Sequence, residues 1–564
     1  MITSNVDPGR ATVYRRAGFW GDAGLHDYWH LAVLASPDKE AVVDSRGSRF
    51  TYAQIDDLGS RVAGFLHDAG VRAGDVVSVQ LPNWAEFVLV NVACLKLGAA
   101  VNPVVPQDRY RELRYRLTRC ASAALVMPTQ FRHTDFHALA DQITEDCPDL
   151  RALLMVENGG VPAAGHTSFD VAIRHAPLPA SEQTPAHGTD VASVLFTSGS
   201  EADPKGVMLT HDNVLASERA FAHDLGIGFP DRVFMPAPLA HATGYLHGVT
   251  MSFLVGGTLL LLDVFTGPAA VGMANAERAT YGSGSPTIIR EMFDVAERCE
   301  PLHAGLRVLC CHGAPVPREL AERGASLGVR VISVYGSTES APHTLSRPDD
   351  PIDCVINTDG RPNTGTSIKI VDPRTRVELP IGQEGEEASR GPGVFVGYLG
   401  APDLTAAVLD ADGWYYSGDL ATVDNAGYVR ITGRIKDVIV RGGENISATE
   451  AEAIMRGHPA VKDVAVVAMP HARLGEQACA YVLPTPGVAG LDLAELRRFF
   501  IACGVAKYKI PERVEIVESL PMTESGKVRK VELRERIAAK VAAENAAAAG
   551  NDEGGTGEGT TPRA

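Results

Sequence analysis

The chain has 564 residues, 45% of them apolar and 21% charged, a globular composition that excludes a disordered, coiled-coil or collagen-like chain and is too long for one hydrophobic core. A formal charge of −17 and a pI near 5.5 oppose an extended nucleic-acid or anionic-membrane surface, since both need a surplus of Lys and Arg. A bound polyphosphate needs only a local positive patch.

In chain order, the opening MITSNVDPGRATVYRR has no apolar core of a leader, so no signal peptide is expected. Strand-like runs then alternate with amphipathic helical segments over roughly the first four hundred residues, the pattern of βα units. Residues 76–81 read as a buried strand, Asn83 as the N-cap of the next helix with Glu86 completing a capping box, and Gly98 as that helix's end. The same alternation returns at 233–235, 244–254 and 258–262; the apolar stretch 253–262 is broken by Gly256, Gly257 and Thr258, so no membrane span is expected. Nine scattered cysteines without C-x-x-C or metal-ligand spacing are the pattern of reduced thiols in a cytoplasmic protein.

At 432–437 a charged run follows a strand-and-turn region and introduces a shorter α+β block. The expected fold class is therefore α/β, with a large N-terminal domain of layered βα subdomains (1–433) and a small α+β C-terminal domain (434–544). Residues 545–564, built of Ala, Gly, acids and Thr without periodic apolar positions, are expected to be a disordered tail.

Residues 195–206 read LFTSGSEADPKG, an apolar strand end followed by small and hydroxyl residues and a lysine. Backbone N–H groups and the hydroxyls of Thr197, Ser198 and Ser200, around Gly199, are suited to phosphate oxygens, with Lys205 as a point charge. The spacing does not fit the GxxxxGK[ST] P-loop. Further along stand Pro238 to His241, Tyr335-Gly-Ser-Thr-Glu339, Tyr416-Ser-Gly-Asp419, Gly433-Arg434-Ile-Lys436-Asp437, Arg441-Gly-Gly-Glu-Asn445 and Ser525-Gly-Lys527. In this order the motifs resemble the adenylate-forming superfamily of acyl-CoA synthetases, luciferases and peptide-synthetase adenylation domains.

The resemblance implies an enzyme that uses ATP and Mg²⁺ to activate an acid as its adenylate. Thr338 would hydrogen-bond the α-phosphate and Glu339 would hold Mg²⁺. Gly313, Ala314, Pro315, Tyr335 and Gly336 would complete the nucleotide site, and Asp419 and Arg434 would hold the ribose. Lys527 would neutralise charge as the adenylate forms. Lys436 would be the hinge about which a mobile small domain turns, and Gly442 and Gly443 would line a thiol tunnel for CoA. His241 would flank the carboxylate, and Tyr245, His247, His312 and Ser340 would line the acid pocket. The segments 235–249, 334–343 and 414–420 are most similar to short- and medium-chain fatty acyl-CoA ligases and cyclohexanecarboxylate-type ligases.

Two places depart from the family pattern. Glu201, Ala202 and Asp203 replace a Thr and a Gly and add a second acid in the phosphate loop, and His312 stands where one of two adjacent glycines is usual. An imidazole there narrows the acyl channel and brings a proton donor or acceptor. The leading expectation is an acid–CoA ligase for a small, medium-chain or cyclic carboxylic acid. A second reading is a diazotase of secondary metabolism that adenylates nitrite and diazotises an aryl amine, and a third is a pseudoenzyme that binds nucleotide without turnover. The sequence leaves the oligomeric state open.

Overall fold

The structure, a computed structural model, describes residues 4, 6–158, 165–197, 204–441, 444–488, 491–503, 505, 507–523 and 527–552. Two large sheets form the body. The first, nine strands among the described residues, runs in the order Arg361–Pro362, Ser340–Leu345, Arg330–Ser337, Val308–His312, Tyr281–Gly284, Arg232–Met235, Thr258–Leu261, Glu40–Asp44 and Arg49–Thr51. Its central strands are parallel, with antiparallel pairs only at the two edges. The second holds Val191–Thr197, Ala100–Pro103, Val76–Val79, Ala124–Pro128 and Ala152–Val156 in a parallel core, with Lys205–Thr210 and Gly397–Tyr398 added antiparallel at one edge.

The helix Ala85–Leu97 is buried along nearly its whole length, because AEFVLVNVACLKL is apolar all round and so belongs inside the molecule. Its Lys96 is matched by Asp56 at 2.8 Å. Gly98 ends it in the left-handed conformation, as expected, but Trp84 and not Asn83 is the N-cap. The buried amide of Asn83 instead donates to the carbonyls of Met235 and Ala237 and accepts from Leu239 N–H. A segment without regular structure needs partners for its backbone groups, and Asn83 supplies them for the loop that leads to His241.

A four-stranded antiparallel sheet, Ser367–Val371, Gly385–Arg390, Tyr415–Val423 and Val429–Arg434, closes the large body. After the short turn Ile435–Asp437 a separate sheet begins, built from Glu444–Ser447, Val438–Arg441, Gly475–Pro484, Val461–His471 and Arg513–Ile516. Along Val461–His471 successive residues serve opposite faces: Val464 and Val466 pack with Leu496 and Phe500, whereas Ala465 and Val467 pack with Leu533 and Ile537. Helices therefore cover this sheet on both sides. The last helix runs Lys530–Asp552, into the tail expected to lack structure from 545; its alanine-rich sequence has the highest helix propensity of any residue type, which periodicity alone does not register. No described helix is long and apolar enough to cross a membrane.

Candidate active site

Parallel strands of the first sheet end on one edge, where an open α/β sheet places its ligands. Thr197 and Lys205 pair across antiparallel strands; between them Ser198, Gly199, Ser200, Glu201, Ala202 and Asp203, the expected phosphate-binding segment, lie outside the described residues. The stem is braced from the side, since Tyr115 donates to the Pro204 carbonyl at 3.1 Å and Arg116 lies over the Phe196 ring. The Lys205 ammonium stands 4.9 Å from the centre of the Tyr398 ring, within cation–π range. The Tyr398 hydroxyl in turn donates to Glu339 Oε1 at 2.7 Å.

The strand Arg330–Ser337 carries Tyr335 and Gly336 to the same edge, and Thr338 and Glu339 follow it directly. Asp419, almost fully buried, accepts from the Tyr335 hydroxyl and from Arg434 Nε, both at 2.8 Å. The nearby Asp419 charge raises the pKa of Arg434, more than burial lowers it. Beneath this pair His343 bridges Glu387 (3.1 Å) and Ser337 (3.2 Å), all buried or half-buried. The layer fixes the Tyr335 ring from below.

Lys527 comes from the C-terminal sheet's side of the molecule, and its N–H donates to the Thr523 hydroxyl. It meets Gly313, where a Cβ would lie 3.2 Å from Lys527 Cε, and Gly313 also has φ +85°. Both facts favour glycine at this position. Crowding by protein lowers the Lys527 pKa, as does Arg434, while Asp419 and Glu339 oppose the change. The residue nevertheless keeps an exposed surface toward the cleft, and water there moderates the depression. Ala314 and Pro315 are likewise exposed beside it.

His241 caps the short helix Ala242–Gly244, its Nδ1 accepting from Thr243 N–H, so the ring proton sits on Nε2. Enclosure, Lys527 and His247 push its pKa down to about 4; its exposed face again lets solvent counter part of that. His247 lies in the π-helical turn Tyr245–Thr250, a distortion common at functional sites, and stacks on His312 with centroids 5.3 Å apart. Burial, with His247, His241 and Lys527, holds the His312 pKa well below its usual value, so that imidazole is neutral. Two pocket expectations fare differently: Ser340 is buried beside Glu339, whereas Tyr245 packs on Phe87 and donates its hydroxyl to Asn91 inside the core, because an apolar ring with one satisfied polar end fits the interior.

Lys436 lies in the turn between the two sheets and lines a cavity of about 150 Å³ with Asp437, Val466 and Arg534. Gly442 and Gly443 lie outside the described residues. Tyr398, His343, Glu387 and Glu218 are brought to the site without having been singled out from the sequence. Glu218 alone left a trace: it interrupts the apolar series Val214, Phe221, Leu225 at helical spacing.

The family model for AMP-binding enzymes matches residues 30–399, and that for the AMP-binding enzyme C-terminal domain matches 450–527. The chain is 44% identical over 536 residues to the medium-chain fatty-acid–CoA ligase of Escherichia coli (strain K12), covering 95% of this chain and 94% of that protein. It is 33% identical to a salicylyl-CoA synthase / salicylate adenylyltransferase of Streptomyces sp, covering 93% and 96%. Among solved structures, ATP-bound MatB from Rhodopseudomonas palustris superposes with a TM-score of 0.81 at 26% identity, over 91% of this chain and 99% of that one.

Proposed function

The chain belongs to the AMP-binding enzymes, and on that footing we propose that it is an acid–CoA ligase, converting ATP and an acid to an acyl adenylate and diphosphate, then passing the acyl group to CoA with release of AMP. The observation that carries this reading is Lys527, a residue of the small C-terminal domain, standing against Gly313 within the field of Asp419, Glu339 and Arg434. An ammonium at that point suits a site where the acid's oxygen and the α-phosphate meet.

In the first step a carboxylate oxygen attacks the α-phosphorus and the bond to the diphosphate oxygen breaks. Asp419 accepts from the ribose hydroxyls while Tyr335 and Arg434 hold it in place, which aims the α-phosphorus. Gly313, Ala314, Pro315 and Gly336 shelve the adenine. Thr338 donates to the α-phosphate, Thr197 and Lys205 to the departing diphosphate, and Lys527 neutralises the charge that gathers on the reacting oxygens. His241, neutral, donates a hydrogen bond from its Nε2–H to the acid and keeps its proton, so it adds no charge. Glu339 and the Thr338 hydroxyl are hard oxygen donors that suit Mg²⁺, which takes one or two carboxylates and completes its shell with phosphate and water; bound there with ATP it would offset phosphate charge. In the second step the small domain turns about Lys436, and the CoA thiol, led in along Gly442 and Gly443, attacks the acyl carbonyl as AMP leaves.

The acid is a small, medium-chain or cyclic carboxylic acid, in line with the names of the relatives above. Those relatives lend no support to nitrite as the activated acid. Incubation with ATP, Mg²⁺, CoA and a panel of such acids is expected to yield AMP and thioester in equal amounts; adenylate formed without any transfer to CoA would overturn the reading.

A further inference from the structure

Glu218 lies in the middle of the helix His211–Leu225 and is fully buried. Its Oε2 is 2.9 Å from His247 Nδ1, while its Oε1 is buried and makes no hydrogen bond within the protein. The His247 ring is sandwiched between Phe221, 4.1 Å away at 28°, and His312, 5.3 Å away at 25°. His312 Nε2 is also buried without a partner. The next residue after His312 is Gly313, which lies beside Lys527, where a Cβ would come within 3.2 Å of Lys527 Cε. A column of flat rings thus runs inward from the reacting end of the site, with a carboxylate beside it.

A buried carboxylate oxygen with no donor is costly. An alkyl chain laid along this column would leave Glu218 Oε1 unmatched, whereas an N–H or O–H group would satisfy it with a charge-assisted hydrogen bond. Flat stacked imidazoles favour a flat ring over a flexible chain. We propose that Glu218 determines specificity by accepting a hydrogen bond from the acid, and that the substrate class is an aryl acid bearing an amino or hydroxyl group on its ring. This rests on the acid-ligase reading above.

The test is ATP–diphosphate exchange by the full chain with benzoate, 3- and 4-aminobenzoate, 3- and 4-hydroxybenzoate and octanoate. The best donor-bearing acid is expected to exceed benzoate in kcat/KM by roughly 30-fold, the range of a hydrogen bond to a charged group. Glu218→Leu is expected to erase that ratio, through a rise in KM confined to the donor-bearing acids. If Glu218→Leu does not fold, Glu218→Gln, which keeps the shape and one acceptor oxygen, is expected to shrink the ratio about tenfold. Exchange with octanoate or benzoate as good as with every donor-bearing acid, or a Glu218 variant that weakens all acids alike, would overturn the inference and leave the ligase intact. Exchange with no carboxylic acid at all would instead remove the ligase reading itself.

Discussion

The Tyr398 hydroxyl donates to Glu339 Oε1 at 2.7 Å, and the same phenol ring carries the Lys205 ammonium 4.9 Å from its centre. One side chain therefore stands between Lys205, the lysine proposed for phosphate, and Glu339, the carboxylate proposed for Mg²⁺. Burial and the Glu339 charge raise the Tyr398 pKa, so the hydroxyl remains a donor at neutral pH. Tyr398→Phe keeps the ring beneath Lys205 but removes the bond to Glu339. A drop of about tenfold in kcat/KM for ATP is expected, with half-saturation by Mg²⁺ shifted upward several-fold. Tyr398→Leu, which removes the ring as well, is expected to lose roughly ten times more. A Mg²⁺ titration unchanged in Tyr398→Phe would remove this role.

On the proposed reading Lys527 serves the first step and not the second, so Lys527→Ala is expected to lower ATP–diphosphate exchange by about 100-fold or more. Transfer to CoA from a pre-formed acyl adenylate should stay within about threefold of the wild type. The working form of Lys527 is protonated, and its pKa lies below the usual lysine value. Its proton is therefore lost at a lower pH than an ordinary lysine's, and kcat/KM should fall on the alkaline side earlier than a solvated lysine would allow. The residual activity of Lys527→Ala should lack that limb. Equal losses in both half-reactions would mean that the variant is damaged more broadly.

What was legible in the sequence was a set of motifs whose residue types announce phosphate, ribose and charge, and the fold draws Glu339, Asp419, Arg434 and Lys527 of that set together. Gly98 was legible because a left-handed helix end needs glycine. The groups that support these residues were not. Tyr398 follows a turn with no motif of its own, and His343 and Glu387 are 44 positions apart; only the folded sheets bring them under Tyr335. Asn83 looked like a cap because local rules see its neighbours in sequence, while its real partners, Met235, Ala237 and Leu239, lie more than 150 residues away. Tertiary hydrogen bonding outcompeted local capping there. Tyr245 was misplaced for a similar reason, since sequence cannot tell which side of a helix beside a pocket faces into it.

Asp419 already accepts two hydrogen bonds, from Tyr335 and Arg434, both at 2.8 Å, yet a carboxylate has about four acceptor sites. The remaining ones are free for ribose hydroxyls. With wild-type protein, 2′-deoxy-ATP is expected to support exchange about tenfold less well than ATP, the loss of one charge-assisted hydrogen bond. Asp419→Ala should raise KM for ATP by roughly 100-fold and abolish the difference between ATP and 2′-deoxy-ATP. Retention of the difference in Asp419→Ala would place the ribose elsewhere.

His211 gives the fold a dependence on pH that is separable from catalysis. It opens the helix His211–Leu225, is buried, and accepts from Leu25 N–H through Nδ1 at 3.1 Å. Burial pushes its pKa down from 6.5 to about 4, against weaker opposing pulls from Asp190 and Asp27. Folded His211 is thus neutral across an interval in which unfolded His211 takes up a proton. The unfolded state binds more protons there, so stability rises with pH through the interval; the contribution is full above about pH 6.5 and is lost as pH falls toward 4. The size of that loss is on the order of 3 kcal/mol. His211→Gln retains an acceptor for Leu25 but does not titrate. Urea unfolding at pH 7 and pH 4.5 should therefore show the wild type losing about 2 kcal/mol more than His211→Gln between the two conditions, because every other titrating group is common to both proteins. Parallel losses in the two proteins would show that His211 is not the group whose protonation weakens the fold in acid.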